Sequence, residues 1–345
     1  MLLLDRYKTP RELTDIAERL LKSAAMPFEI NGQELQISAS IGIAVYPEDG
    51  SDSQILMKNS EIAMYRAKHN GKNNYQFYDA NMNVHTIERL AFEAQLRRAL
   101  ENHEFVVHYQ PKVSVQTGKV VGAEALVRWQ HPENGLIYPT EFIALAEEAG
   151  LVGKLGMQVL DKVCSTIANL HAAKKSFGRI AINLSGAQFN DEFLLHELQK
   201  VIDYWEISPT DIEFEITESM VMNNHEQAIA HMDGLKAAGY TLSIDDFGTG
   251  YSSLAYLKRF PVNSLKIDKS FIKDMPADAN DTAIVLAIIA MAKTLGLKVV
   301  AEGVENKVQL DTLLKSQCDE YQGFYFSKAV PEAAFIELLE LQAGS

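Results

Sequence analysis

Two neighbouring aspartates, Asp245 and Asp246, end an apolar run in the stretch SIDDFGTGYSS (243–253). Aspartate and glycine suit a polar turn in any protein, so this stretch alone is consistent with a plain turn as well as with a functional site. Polar side chains also end other apolar runs. They are Glu124 in AEALVRW, Asn183 in AINLS, Glu215 in EFEITES, Lys266 and Asp268 in LKID, and Glu302 in VVAEG.

Most of these side chains offer hard oxygen ligands, and neither thiolates nor a spaced pair of histidines accompanies them. Such a set suits Mg2+ or Mn2+ better than zinc. Carboxylates gathered in one mouth would repel one another unless cations lay among them. Two divalent ions about 3.5 to 4 Å apart, bridged by a shared carboxylate, would activate water and stabilise the leaving oxygen in phosphate-ester hydrolysis.

The adjacent pair Asp245 and Asp246 suits the bridging position. Neighbouring residues of a strand point to opposite faces, so both carboxylates face one site only where the strand breaks. We expect the following FGTG to supply that break. One aspartate would then bridge the two ions, and the other would bind the second ion.

Each polar residue also has an ordinary structural interpretation. Glu124 and Glu302 each suit an ordinary ion pair. Lys266 suits a counterion inside the fold, and Asn183 suits a turn cap. Glu215 lies between two bulky apolar residues, where an unpaired charge would be costly, so a partnered or metal-bound carboxylate is favoured there. The joint occurrence of these residues on separate strand ends favours a site.

Eight strand candidates alternate with helical segments beyond residue 86 and would position these side chains. They are FVVHYQPKV, GAEALVRW, IAINLS, IEFEITES, TLSIDDF, SLKID, KVVAEGV and YQGFYFS. Eight strands alternating with helices over about 260 residues predict an α/β fold of the (β/α)8 TIM-like barrel class. The link between the first two strands is SVQTGK, which is hairpin-like, so we expect an antiparallel first strand. Catalytic residues of such barrels lie at the C-terminal strand ends.

The sequence pattern predicts a separate α+β piece in residues 1–85 and the barrel in residues 86–345. Residues 11–30 carry a helical pattern. The stretch QELQISASIGIAVYPEDG (33–50) predicts a hairpin-like strand pair, with INGQ as the turn. The helical segment ILMKNSEIAMYRAKH and a short strand in NNYQFYD complete this piece.

The overall composition argues against several classes of function. Of 345 residues, 32 are Lys or Arg and 46 are Asp or Glu, which gives a formal net charge of −14. DNA binding is not expected, because non-specific nucleic-acid binding relies on clustered basic residues. Two separated cysteines, Cys164 and Cys318, indicate neither a zinc motif nor a disulfide framework. We therefore expect a reducing cytoplasm, and no apolar run reaches the roughly 18 residues of a membrane span.

The motifs of the second piece follow one another in a recognisable order. They are YQP (109–111), EAL (124–126), NLS, EITES, DDFGTGYSSL, LKIDKSFI, AEGVE and QGFYFSK. In this order they closely resemble the EAL-domain family of cyclic di-GMP phosphodiesterases, over about residues 86–345. The resemblance implies a TIM-like barrel that hydrolyses one phosphodiester bond of cyclic di-GMP to linear pGpG in bacterial second-messenger signalling. It also implies Mg2+ or Mn2+ as cofactor, with two ions per active site.

The same resemblance assigns metal ligands and catalytic residues. One ion would be held by Glu124, Asn183, Glu215 and Asp245, and the other by Asp245, Asp246 and Glu302. Lys266, together with Asp268, would position or deprotonate the attacking water. Glu302 is counted among the catalytic residues as well as among the ligands.

Further roles also follow from the resemblance. Gln110, Leu126 and Arg128 would contact the substrate, and the guanidinium fork of Arg128 suits a phosphate. Gln322 would lie in the water network, and Glu218 would anchor the DFGTGYSS loop. The family also uses this loop near its dimer interface, and the resemblance implies a homodimer through the loop after the sixth strand.

The first piece is similar to the C-terminal half of GGDEF domains, which have the diguanylate cyclase fold. The similar stretches are SIGIAVYPEDG and EIAMYRAKHNGKNNYQFYD, while the signature GG(D/E)EF loop is absent and MLLLD resembles the strand after it. We therefore expect a truncated GGDEF-type remnant without cyclase activity. Upstream sensory or GGDEF segments would then be missing from this chain, and such segments would be able to tether the intact protein to a membrane.

Two other classes of function stay open at this point. A non-catalytic receptor would bind cyclic di-GMP in the barrel and signal through a partner. Degenerate receptors usually lose acidic ligands or the lysine, whereas this chain keeps Glu124, Asp245, Asp246 and Lys266, which favours the enzyme. A different metal-dependent TIM-barrel hydrolase is consistent with the carboxylates alone and is disfavoured by the ordered motifs.

Overall fold

The computed structural model describes residues 2–4, 7, 9–30, 33–35, 37–69, 71–222, 225–249 and 254–343. The chain folds into two compact units, Met1–Gln95 and Leu96–Ser345. Among the described residues, no helix combines the length and the apolar character that crossing a bilayer requires.

The first unit combines helices with small sheets. Its elements are α1 (Pro10–Ala24), β1 (Phe28–Ile30), β2 (Gln33–Leu35), β3 (Ile41–Ile43), α2 (Ser53–His69) and β4 (Tyr75–Phe77). β1 and β2 are antiparallel, and the predicted turn residues Asn31 and Gly32 between them lie outside the described residues. An antiparallel strand pair is therefore confirmed, but its strands are Phe28–Ile30 and Gln33–Leu35, so the placement of both strands within 33–50 was wrong. The later part of 33–50 forms β3, which pairs with β4 in parallel. Helix α2 connects β3 to β4, and a crossover of this kind is what a parallel pair requires.

Helix α3 (Asn81–Glu101) includes the residues on either side of the division between the units. The strands of the second unit are β5 (Phe105–Ser114), β6 (Val120–His131), β7 (Gly135–Ile137), β8 (Arg179–Asn183), β9 (Ile212–Thr217), β10 (Thr241–Phe247), β11 (Ser264–Ile267), β12 (Lys298–Glu302), β13 (Glu320–Gln322) and β14 (Val330–Pro331). Its further helices are α4 (Pro139–Glu148), α5 (Val152–Ala172), α6 (Gly186–Phe189), α7 (Leu194–Trp205), a 3-10 helix (Pro209–Asp211), α8 (Glu218–Met222), α9 (His225–Ala237), α10 (Leu254–Leu257), α11 (Lys269–Lys273), α12 (Ala279–Thr294), α13 (Lys307–Lys315) and α14 (Glu332–Ala343).

Eight strands of the second unit close into a barrel. In order around the barrel they are β5, β6, β8, β9, β10, β11, β12 and β13, and β13 pairs back to β5. β5 runs antiparallel to both of its barrel neighbours, whereas the other neighbouring pairs are parallel. The predicted TIM-like barrel with an antiparallel first strand is therefore confirmed. The short strands β7 and β14, which were not predicted, extend the sheet beside β6 and β5.

Apolar residues fill the layer between the barrel strands and the surrounding helices. On α5, Val159, Val163 and Ile167 are buried at four-residue spacing, which is typical of a helix face that packs on a core. The hydroxyl of Tyr109 on β5 donates a hydrogen bond to Thr166 Oγ1 on the same helix, at 2.8 Å. The outer face of the strands is thus the apolar face.

The inner face of the barrel carries charged residues instead. Lys112 on β5, Glu213 and Glu215 on β9, and Lys266 on β11 are all buried. TIM barrels are ordinarily filled by branched apolar side chains, so these charges need a compensating arrangement. The barrel interior supplies it by placing ammonium groups directly against carboxylates.

Candidate active site

Lys266 lies at the centre of the site, surrounded by carboxylates from four other strands. Its side chain is fully buried on β11. From Lys266 Nζ the distances are 2.6 Å to Glu302 Oε1, 2.7 Å to Glu215 Oε2, 3.1 Å to Asp245 Oδ1 and 3.4 Å to Glu124 Oε2. Barrel closure therefore brings together side chains that are up to 178 positions apart, from Glu124 to Glu302.

Glu124 is held through both of its carboxylate oxygens. Asn183 Nδ2 donates to Oε1 at 2.7 Å, and Gln322 Nε2 donates to Oε2 at 2.7 Å. Asn183 is the last residue of β8, as predicted. Gln322 is the last residue of β13, whereas the eighth strand candidate, YQGFYFS, placed it near the beginning of a strand. Glu124 itself lies in the middle of β6, because that strand continues beyond the barrel to pair with β7.

The strand break that turns the aspartate pair toward one site lies at Asp246. This residue has a left-handed backbone (φ +53°), which is uncommon for a residue other than glycine. The pairing of β10 with β11 shifts register between Ile244 and Phe247, and the Asp246 N–H donates to Asp245 Oδ1 at 2.9 Å. The prediction that FGTG supplies the break was thus wrong in position, because the left-handed residue already interrupts the alternation of side chains. Oxygen atoms of Asp245, Asp246 and Glu302 lie within 4.8 Å of one another.

Asp268 lies beside this group, at the beginning of α11. Its Oδ1 accepts a hydrogen bond from the Ser270 N–H at 2.9 Å, which caps the helix. Burial raises the pKa of Asp246, and the neighbouring Asp268 carboxylate raises it further. Among the described residues, no ion pair joins Asp268 to Lys266, so the predicted cooperation of these two residues stays a prediction.

Glu218 contacts the beginning of the DFGTGYSS segment. Its Oε2 accepts a hydrogen bond from the Gly248 N–H at 2.9 Å, at a backbone conformation (φ +100°) that suits glycine. Thr249 Oγ1 donates to the Asp246 carbonyl oxygen at 2.8 Å. Residues 250–253 of the predicted loop lie outside the described residues. Anchoring of the whole loop by Glu218 therefore stays a prediction.

Lys112 is a part of the charged interior that the sequence did not reveal. Its Nζ lies 2.6 Å from Glu213 Oε1 and 2.7 Å from Glu215 Oε1. The stretch YQPKVSV gives no sign of a buried lysine, yet Lys112 is two residues beyond Gln110 on the same strand. Side chains two apart share a strand face, so this spacing was the available signal.

The ionisation of the site follows from burial and from these ion pairs. Burial opposes the charge of Glu215, but Lys112 and Lys266 lower its pKa to about 2. Burial raises the pKa of Glu302 to about 8, against the lowering effect of Lys266. Burial also raises the pKa values of Glu124 and Asp245. The surrounding carboxylates hold the pKa of Lys266 well above its usual value although burial opposes the charge.

The donor set fits divalent cations. The carboxylates of Glu124, Glu213, Glu215, Asp245 and Glu302 outnumber the ammonium groups of Lys112 and Lys266 in this interior. Burial is the main cause of the raised pKa values of Glu124, Asp245 and Glu302, and neighbouring carboxylates raise them further. Oxygen ligands of this kind suit Mg2+ or Mn2+, and cations at Asp245, Asp246 and Glu302 would neutralise the excess.

Gln110, Leu126 and Arg128 lie along one wall of the site. Leu126 and Arg128 follow Glu124 at two-residue spacing on β6, so the three side chains share a strand face. Gln110 pairs with Glu124 across β5 and β6, and its Oε1 accepts a hydrogen bond from Gln322 Nε2 at 3.0 Å. The predicted substrate residues are therefore next to the predicted ligands.

Arg128 keeps unused donor capacity at this wall. Its Nη1 donates to the Val127 carbonyl oxygen at 2.8 Å, and its guanidinium carbon lies 5.0 Å from the ring centroid of Tyr138. Its Nε is buried and has no hydrogen-bond partner within the part of the chain that the structure describes. A guanidinium held in this way is able to donate hydrogen bonds to an anionic group.

Comparison with known families agrees with this architecture. The EAL domain family model matches residues 93–329, and the model for the diguanylate cyclase GGDEF domain matches residues 1–74. The resemblances stated from the motifs are thereby confirmed for both pieces of the chain.

Individual relatives are similar over nearly the whole chain. The bifunctional diguanylate cyclase/cyclic di-GMP phosphodiesterase MucR of Pseudomonas aeruginosa is 42% identical over 95% of this chain and 48% of the relative. The cyclic di-GMP phosphodiesterase PdeR of Escherichia coli is 39% identical over 94% of this chain and 49% of the relative. The chain thus spans about half the length of these curated relatives.

A solved structure of the PaMucR phosphodiesterase in complex with c-di-GMP superposes with a TM-score of 0.68. It is 42% identical, and the match covers 70% of this chain and 98% of that chain. The family model covers more than half of the present chain, and its match coincides with the barrel and the acidic mouth. The chain therefore belongs to the EAL domain family.

Proposed function

We propose that the barrel hydrolyses one phosphodiester bond of cyclic di-GMP to give linear pGpG, with divalent cations held in its acidic mouth. The observation that carries this proposal is the convergence of Glu124, Glu215, Asp245 and Glu302 on Lys266 Nζ, at 2.6 to 3.4 Å. The phosphodiesterase names of similar proteins and the c-di-GMP complex of a similar barrel support the same substrate.

The proposed cofactor is a pair of Mg2+ or Mn2+ ions. One ion is assigned to Glu124, Asn183, Glu215 and Asp245, and the other to Asp245, Asp246 and Glu302. The proximity of Asp245, Asp246 and Glu302 supports the second set, and the hydrogen bond between Asn183 and Glu124 supports their membership of one ligand set. When bound, such ions activate water and stabilise the charge on the leaving oxygen.

Lys266 is proposed to orient the attacking water, together with Asp268. Its raised pKa keeps the side chain protonated at neutral pH, so the ammonium group donates hydrogen bonds. This favours the positioning role over proton abstraction by Lys266. Glu302, which neighbours Lys266 on the adjacent strand, is the proposed catalytic carboxylate in addition to being a ligand.

Substrate binding is assigned to the wall formed by β5 and β6. Arg128, whose Nε has no hydrogen-bond partner among the described residues, is proposed to contact a phosphate of the dinucleotide. Gln110 and Leu126 line the same wall. Gln322, which joins Gln110 to Glu124, is proposed to hold the water network. Glu218 is proposed to keep the loop that follows Asp246 in place.

A homodimer is proposed through the segment after the sixth barrel strand, β11, where α12 follows the short helix α11. Ala283, Ile284 and Ala287 lie on an exposed and apolar part of this helix. Ile284 is 39% exposed and Leu286 is 44% exposed. Apolar residues exposed in this way indicate a surface for a second subunit.

Free and buried cysteines, Cys164 and Cys318, support a reducing cytoplasm as the place of action.

The function is tested with the purified chain, cyclic di-GMP, and Mg2+ or Mn2+. Formation of pGpG is followed by chromatography, and binding of the dinucleotide is measured separately by calorimetry in Ca2+. Turnover that depends on the metal ion supports the proposal. Binding without turnover in Mg2+ and in Mn2+ would instead make the barrel a receptor, and neither binding nor turnover would exclude cyclic di-GMP as the ligand.

A further inference from the structure

Lys112 lies on the inner face of the barrel next to the acidic mouth, and among the described residues its ammonium group donates hydrogen bonds only to carboxylates. Its side chain is 4% exposed, and its Nζ bridges Glu213 Oε1 at 2.6 Å and Glu215 Oε1 at 2.7 Å. Within the part of the chain that the structure describes, no other basic side chain forms an ion pair with Glu213. Lys112 is therefore separated from the mouth by Glu215.

The two oxygens of Glu215 have different partners. Oε1 accepts from Lys112 Nζ at 2.7 Å, and Oε2 accepts from Lys266 Nζ at 2.7 Å. The carboxylate is consequently fixed between two ammonium groups, one on each side, and its side chain is fully buried. The ammonium group of Lys266 also contacts Glu124, Asp245 and Glu302. No such contact of Lys112 occurs among the described residues.

Glu213 completes this arrangement by balancing the charge of Lys112. Glu213 and Glu215 are two residues apart on β9 and point to the same face. Without Lys112, two buried carboxylates on one strand would face each other without a cation between them. The pair of Lys112 and Glu213 thus adds no net charge to the interior, but it provides a fixed donor for Glu215 Oε1.

We propose that Lys112 is a positioning residue that fixes the carboxylate of Glu215, so that Glu215 Oε2 is presented to a divalent cation. This inference rests on the proposed metal-dependent function and extends it to a residue that touches neither substrate nor metal ion. Partners that orient a metal ligand in this way typically contribute about 10- to 100-fold to metal affinity.

The charge of Lys112 complicates the single substitution. Removal of one positive charge near the mouth increases the attraction for a cation, which opposes the loss of orientation. The double variant Lys112→Met/Glu213→Met removes one positive and one negative charge, so the net charge of the interior does not change. Replacement of a buried ion pair by apolar residues of similar volume is also commonly neutral or stabilising, which favours a folded variant.

The matched control is Lys298→Met/Glu320→Met, which removes a pair at 3.0 Å whose lysine is 60% exposed. Both double variants and the wild type are freed of metal with EDTA and titrated with Mn2+. Bound and free Mn2+ are separated by the electron paramagnetic resonance signal of the hydrated ion. Thermal unfolding, recorded without metal, reports on the fold of each protein.

The expected result is a folded Lys112→Met/Glu213→Met variant that binds Mn2+ about 10- to 100-fold more weakly than the wild type. The control should bind Mn2+ as the wild type does. Wild-type affinity in the folded double variant would overturn the inference and leave Lys112 as a structural ion pair. Failure of this variant to fold, while the control folds, would equally assign Lys112 to the stability of the barrel and overturn the inference.

The Mn2+-binding test of the role of Lys112 and the turnover test of the proposed function can fail independently of each other. Weakened Mn2+ binding in the double variant together with no turnover in the wild type would contradict the function and retain the inference. Absence of Mn2+ binding by the wild type would overturn the inference directly, whatever the turnover.

Discussion

Lys266 Nζ and Glu302 Oε1 lie 2.6 Å apart on the neighbouring parallel strands β11 and β12. The same ammonium group also contacts Glu124, Glu215 and Asp245. One buried ammonium group thus contacts four carboxylates from four strands, and one of these, Glu215, is also paired with Lys112. The lysine and a bound metal ion would share these carboxylates, and this relationship determines the predictions for the site.

Replacement of Lys266 should separate catalysis from metal binding. In Lys266→Met we expect turnover to fall by about 100-fold or more, because the water loses its orienting donor. Mn2+ affinity should stay equal or become tighter, since a positive charge leaves the ligand set. Steady-state rates and Mn2+ titration test both effects, with the exposed Lys307→Met as control. Turnover within about threefold of the wild type would contradict the assigned role.

The bridging role of Asp245 predicts a loss of both properties. Asp245→Asn should reduce turnover by at least about 100-fold and should weaken Mn2+ binding, because a shared ligand loses its charge. Glu305→Ala changes an exposed carboxylate three residues beyond Glu302 and should have a much smaller effect. Wild-type rates in Asp245→Asn would show that this residue does not bridge the ions.

The raised pKa of Glu302 predicts how pH changes stability when metal is removed. The folded carboxyl has a pKa of about 8 against an ordinary value of 4.5, so the folded state binds more protons between these two values. The free energy of unfolding should therefore decrease as pH rises from about 5 to 8 in EDTA. Calorimetry should show a smaller slope in Glu302→Gln than in the wild type. Equal slopes in the two proteins would contradict the assigned pKa.

Calcium should bind the site and support little hydrolysis. Its coordination is looser than that of Mg2+, so the attacking water would be less well placed, and turnover should fall at least about tenfold. Competition between Ca2+ and Mn2+ in a turnover assay measures occupancy and rate together. Rates in Ca2+ equal to those in Mg2+ would be inconsistent with this site geometry.

The exposed face of α12 predicts a change of assembly. In Ile284→Glu a charge would be buried in the proposed interface, so the dimer should dissociate. Analytical ultracentrifugation compares this variant with Leu314→Glu, which changes an apolar residue of similar exposure on α13. A dimer that persists in Ile284→Glu would place the interface elsewhere.

The barrel was predictable from the sequence because its strands and helices alternate regularly. Eight apolar runs and one helix-free link gave the strand order and the antiparallel first strand. Glu124 and Glu302 meet at one lysine only because the barrel closes. The order of the motifs, which resembles that of the EAL-domain family, was the basis for expecting these residues in one site.

Three features were beyond a local reading of the sequence. Lys112 and Glu213 are ordinary strand residues by pattern, and their pairing depends on which inner faces meet across the barrel. The strand break at Asp246 depends on a positive φ, which aspartate adopts only in some contexts. The later part of 33–50 was predicted to form one strand of an antiparallel hairpin. It forms β3, which pairs in parallel with β4 because helix α2 connects the two strands.

The most direct measurement is the amount of pGpG that the purified chain forms from cyclic di-GMP, first in EDTA and then after addition of Mg2+ or Mn2+. Product is expected only after the metal ion is added, and almost none is expected from Asp245→Asn under the same conditions. Equal product in EDTA, or intact cyclic di-GMP with saturating metal ion, would contradict the proposed function.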